Sequence, residues 1–164
     1  MHLGNAALER RDNIPELLQF LEIDDDTMGR GRELWELIGP HADSIIDSFY
    51  ARVRTFNISP AVTDASVQRL KIRQKEHWAA LFDSRFGADY IDSVCRVGVK
   101  HRDIDLNPLW YVAGYISLKI AFTDVIAKAP LPPITKGRFM KALDKYVAFD
   151  MALALSAYNV VVVD

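Results

Sequence analysis

Cysteine is almost missing from this chain. One residue in 164, Cys95, leaves nothing for a disulfide framework, a cysteine-built zinc site or an iron–sulfur cluster, and agrees with a reducing compartment. Neither sign of charge is in excess: 20 Lys and Arg stand against 22 Asp and Glu, which excludes the positive field that non-specific nucleic-acid binding needs. Half of the residues are hydrophobic and 26% are charged, so the composition is not that of a disordered chain. No apolar run approaches the roughly 18 residues that would span a bilayer, and the start, Met1-His2-Leu3-Gly4-Asn5, lacks a charged-then-apolar signal pattern. Chemistry-bearing motifs are missing too. There is no Gly-x-Ser-x-Gly elbow, no phosphate-cradling glycine loop and no His-Glu-x-x-His, so hydrolase and nucleotide chemistry have no foothold. A single domain is expected, soluble and cytoplasmic, engaging neither nucleic acid nor membrane.

Glycine (8) and proline (7) are scarce and fall mainly between long segments whose apolar residues recur every three or four positions. That period is helical, so the fold class is all-α. Ile14, Leu17, Leu18 and Leu21 trace a first helix. Asp24 to Thr27 suits the start of a second, ahead of Leu34, Leu37 and Ile38. Arg30 and Arg32, flanked by Gly29 and Gly31, read as a polar turn. Gly39-Pro40 breaks the chain; Ile45, Ile46, Phe49, Tyr50 and Val53 then share one face of a helix ending near Thr55. Asp64 is placed to cap the next helix, whose stripe is Val67, Leu70, Gln74, His77, Trp78 and Leu81. After Phe86-Gly87, a further helix puts Tyr90, Val94, Val97, Gly98 and His101 on one side. Pro108 opens a long helix through Trp110, Tyr111, Tyr115, Leu118 and Phe122 toward Ala129. The last helix, from about Thr135, is apolar on more than one side, which predicts a second partner surface. The terminal Val160 to Val163 run reads as a cut in a longer chain.

Apart from Cys95, the candidate metal ligands are His2, His41, His77 and His101, which are far apart and form no zinc signature. His101 closes an otherwise apolar helix face, so two readings stand side by side: a hydrogen-bonded core histidine, or a ligand. Leu70, Arg73, Gln74 and His77 lie 24 to 31 residues earlier on adjoining faces of another helix. A flat apolar group with a metal under His101 would fit between the two.

Ser48-Phe49-Tyr50, Arg69-Leu70-Lys71, Glu76-His77-Trp78 and above all Val99-Lys100-His101-x-x-Ile104-x-Leu106-x-Pro108-x-Trp110-Tyr111 resemble the globin domains of the globin-coupled sensors, which are close to the protoglobins. The likeness runs from the helix before Leu34 to Tyr158. It implies a globin fold with an extra N-terminal helix (1–22) before a globin core (23–164) and with no separate D helix. It also implies non-covalent haem b with His101 as proximal iron ligand, consistent with a lone cysteine that cannot make a Cys-x-x-Cys-His attachment. Tyr50 matches the distal tyrosine, whose hydroxyl donates to bound O2 more than to the less polar CO. Leu70 matches the distal position that limits water entry. Arg73 reaches a propionate or the gas, or extends outward, and the outward reading is preferred. Gln74 is a second donor or faces the helix of Tyr50. Phe49, Val97 and Tyr111 complete the expected lining, with Trp110 beside Tyr111. His77 competes for the iron, but seven residues beyond Leu70 is roughly 11 Å of rise, which places it at the pocket edge, capping or holding a propionate. Asp105 stands where the family usually has glycine.

The resemblance further implies an oxygen sensor domain, not itself an enzyme, that also takes CO and NO. Such domains pair through the last two helices and regulate a C-terminal histidine kinase, diguanylate cyclase or chemotaxis transducer. The alternatives are a stand-alone haem redox protein, a globin enzyme such as a nitric oxide dioxygenase, for whose reductase no flavin or nicotinamide motif is present, and a gas carrier.

Overall fold

A computed structural model describes residues 13–158, and every regular element among them is helical. Seven α-helices follow one another: α1 (Ile14–Phe20), α2 (Asp25–Ile38), α3 (Ala42–Thr55), α4 (Val67–Asp83), α5 (Ala88–Asp103), α6 (Pro108–Lys128) and α7 (Pro133–Tyr158), with a single 3-10 turn, Gly39–His41, before α3. The Val160 to Val163 run and the first part of the N-terminal extension lie outside the described residues.

Local capping chemistry accounts for two of the helix starts. Asp24 caps α2, accepting from the Thr27 amide at 2.8 Å and the Thr27 hydroxyl at 2.9 Å, as the acidic start predicts. Asn107 caps α6 by accepting from the Leu109 amide at 2.9 Å, and Pro108 takes the first helical position, where its missing N–H costs nothing. No helix separates α3 from α4, in keeping with the absent D helix.

Several expectations are corrected. Asp64 does not cap α4. The helix starts at Val67 with Ser66 as its cap residue, which leaves Asp64 too far upstream to reach a first-turn amide, and its carboxylate pairs with Arg54 instead. The Gly29–Arg32 stretch is no turn but part of α2. A Cβ at Gly31 would lie 2.2 Å from the Tyr146 hydroxyl and 2.5 Å from the Phe82 carbonyl, so this glycine permits close approach of α4 and α7 rather than a break. α7 begins at Pro133, two residues before the expected Thr135.

The many-sided apolarity of α7 is also used differently from expectation. Phe139, Leu143, Tyr146, Val147, Phe149, Leu153 and Ala154 are all buried within the chain itself. Trp78, Phe82, Phe122, Tyr146 and Phe149 form the aromatic centre of the core, with Trp78 against Phe122 at 4.6 Å between ring centroids. Exposed apolar side chains remain on several helices: Leu109 at 63% and Ile120 at 55% on α6, Ile72 on α4, and Ile134 at the start of α7. α6 is, by length and a mean hydropathy of 1.3, apolar enough to cross a membrane, contrary to the expectation that no segment approaches that limit. Its Tyr111, Tyr115, Leu118, Phe122 and Ile126 face the protein core.

α5 and α7 make the most extensive helix pair. Their closest approach is at Gly98, where a Cβ would sit 2.1 Å from the Ala154 carbonyl oxygen. Glycine is required there by backbone-to-backbone contact, three residues before His101.

Candidate haem site

His101 lies in the last turn of α5, half-buried. Its Nδ1 is 2.8 Å from the Val97 carbonyl oxygen. A carbonyl only accepts, so Nδ1 carries the proton and donates, and Nε2 is left with its lone pair. Burial pulls the imidazole pKa below its ordinary value, the Val97 hydrogen bond opposes this, and the charge on His77 adds to the lowering. The ring is therefore held neutral, in the tautomer and orientation that a metal requires of an imidazole. The Tyr111 ring meets it edge-on at 5.2 Å. Val97, expected as lining, acts on His101 through its backbone oxygen.

The turn after His101 brings Tyr111 into place. Asp105 has a φ of 56° there, a left-handed conformation that glycine enters freely and Asp tolerates better than most residues. The departure from glycine thus leaves the turn intact: Leu106 N donates to the His101 carbonyl at 3.1 Å. Trp110 is 42% exposed, unlike its buried neighbour Tyr111.

Tyr50 is buried on the inner face of α3. Burial alone pushes its hydroxyl up to about 12, and no protein group among the described residues accepts from it. It remains a neutral donor at any physiological pH. Phe49 meets it edge-on at 5.2 Å and lies 3.3 Å from where a Gly114 Cβ would stand, which seats it between α3 and α6. On α4, Leu70 packs half-buried against the core and Gln74 is half-buried, whereas Arg73 is exposed, as the outward reading has it.

His77 does not stand at a pocket edge to cap or to hold a propionate. Its Nε2 is 3.0 Å from both carboxylate oxygens of Asp150, on α7. The reason is Asp150 itself, 1% exposed and in need of donors. Sequence reasoning missed Asp150 because the run around it reads as packing; the signal was that it is the one charged residue between Lys145 and Asp164.

The donor set fits a haem. A neutral imidazole with its tautomer fixed through Nδ1 leaves one nitrogen able to hold iron, and a buried phenol with no acceptor among the described residues sits on another helix.

A family profile described as Protoglobin matches residues 11–160. The chain is 25% identical over 154 residues to the heme-based aerotactic transducer HemAT of Halobacterium salinarum, an alignment that takes in 86% of this chain and 31% of that protein. It therefore spans about a third of that relative's length. The globin domain of the Geobacter sulfurreducens globin-coupled sensor shares the fold, with a TM-score of 0.78 at 16% identity, over 88% of this chain and 97% of that domain. With the His101 to Tyr111 signature on a globin fold and a family match over nearly the whole chain, the protein belongs to the protoglobin family.

Proposed function

We propose that this chain is a cytoplasmic haem b domain that senses O2 and passes the result to a C-terminal signalling module, such as a histidine kinase, a diguanylate cyclase or a chemotaxis transducer. The observation that carries the reading is the fixed tautomer of His101: Nδ1–H committed to the Val97 carbonyl, Nε2 available. Bound there, a ferrous haem would supply iron that takes a diatomic gas. Each side chain has its own part. His101 would hold the haem iron, with Tyr111 supporting its ring. Tyr50 donates its hydroxyl proton to a gas on which negative charge builds, which favours O2 over CO. Leu70, with Phe49, Gln74 and Val97, limits water at the pocket, and Arg73, exposed on α4, extends outward into solvent. His77, engaged by Asp150, is not free to close the sixth position, which speaks against a bis-histidyl redox protein. Two copies pair through the surface of α6, where Leu109, Trp110 and Ile120 are exposed, joined by the end of α7.

The hydroxyl of Tyr50 provides the test. Replacing it, Tyr50→Phe, should speed O2 dissociation by about tenfold or more, the worth of a hydrogen bond to a charged acceptor. CO dissociation should change far less. Flash photolysis and stopped-flow mixing measure both, and equal effects on the two gases would mean that Tyr50 acts by volume alone.

A further inference from the structure

Asp150 is 1% exposed at the middle of α7. Its carboxylate gathers donors from three other helices. The Tyr115 hydroxyl of α6 donates to Oδ2 at 2.6 Å, the Tyr90 hydroxyl of α5 donates to Oδ1, and His77 Nε2 of α4 lies 3.0 Å from both oxygens. A carboxylate taken out of water needs such donors, and removing one leaves a buried charge or lone pair unanswered. The cluster is therefore a single point at which four helices are tied together. It is satisfied only when all four sit in register.

Its position relative to His101 gives this point a role. Tyr90 and His101 share α5, three turns apart, so displacement of the histidine along the helix axis displaces the Tyr90 hydroxyl too. Between them, Gly98 brings the α5 backbone against Ala154, one turn beyond Asp150 on α7. A second connection runs through rings: Tyr111 meets His101 at 5.2 Å and Tyr115 at 6.0 Å, and Tyr115 bonds Asp150. Both connections end on one carboxylate in α7. Hydrogen bonds to a buried charge are short-ranged and directional, so a small shift of α5 breaks or re-forms them rather than stretching them smoothly.

We propose that the Asp150 cluster is the joint through which gas binding at His101 repositions α7, with Asp150 as a positioning residue that touches neither iron nor gas. This rests on the haem-sensor reading above and names the residues that transmit its signal.

The test compares the haem-loaded chain, reduced, with and without CO, by hydrogen–deuterium exchange of the α7 amides from Leu143 to Ala157. In the wild type, CO should change these exchange rates by about fivefold or more, the lower range of coupling between sites. In Asp150→Asn the CO-dependent difference should disappear while CO still binds. Tyr90→Phe, which keeps the ring packing against Phe86 and Phe149 and removes only the donor, should reduce it likewise and serves if Asp150→Asn does not fold. A purely structural cluster would give faster exchange in both states with the CO difference retained, and that result overturns the proposal. So does CO binding that leaves wild-type α7 unchanged. Failure of the wild type to take up haem at all, seen as a missing Soret band, is a different result and refutes the sensor reading together with the joint built on it.

Discussion

His77 shows how one side chain's surroundings set its chemistry. Burial disfavours its charged form, yet the charge of Asp150 and the hydrogen bond to it together raise its pKa above the ordinary 6.5. Because the folded value lies above the unfolded one, the pair's contribution is fully present below about pH 6.5 and is lost as pH rises through the higher folded value. Thermal unfolding of the wild type and His77→Gln should therefore differ most near about pH 6 and least near about pH 9. A gap that widens with pH would contradict the pairing. Much at this scale was legible in the sequence. His101, Tyr50 and Tyr111 sit where helical spacing and the signature put them, and Arg73 points outward. What the sequence hid was partnership across long separations: nothing near His77 announces Asp150, 73 residues away. Asp64 misled for a related reason, since capping chemistry read locally took no account of Arg54 as a competing partner.

Among the elements, the α5–α7 pair decides how firmly the proximal side is held. Gly98 lets the two backbones meet, and a methyl group there would collide with a carbonyl oxygen that has no flexible end to move. Gly98→Ala should cost about 1–3 kcal/mol of stability, typical of forced overpacking, measured by chemical denaturation. An unchanged midpoint would mean that the helices separate without penalty. Periodicity read these helices well because amphipathic spacing is a local signal, and the starts at Asp24 and Pro108 were legible for the same reason, whereas the cap expected at Asp64 was not formed. It failed at Gly31, taken for a turn residue although it lies inside α2. Glycine marks two different needs, a left-handed backbone or a near neighbour, and only the second applies at Gly31 and Gly98. Asp105, by contrast, occupies the left-handed position itself, with φ at 56°.

Across the whole molecule, much of the apolar stretch of α7 is spent inside the globin core, while exposed apolar side chains remain on α6 at Leu109, Trp110 and Ile120 and on α7 at Ile134. A chain read by composition alone cannot distinguish these, since both helices are apolar on several sides. Pairing through α6 predicts that the wild type sediments as a dimer and that Ile120→Glu, a charge at a position 55% exposed, sediments as a monomer with its haem spectrum unchanged. A monomeric wild type would remove the interface. The globin fold packs α5, which carries His101, most extensively against α7, the helix that leads toward the C-terminus. Everything in this account depends on haem held by His101. Absorption spectra of the purified protein, ferric, ferrous and ferrous under O2, with His101→Ala in parallel, test it most directly. The account predicts a Soret band and a stable oxygenated form for the wild type, and loss of haem on purification of His101→Ala. No Soret band after haem addition, or a normal five-coordinate spectrum retained by His101→Ala, would contradict it.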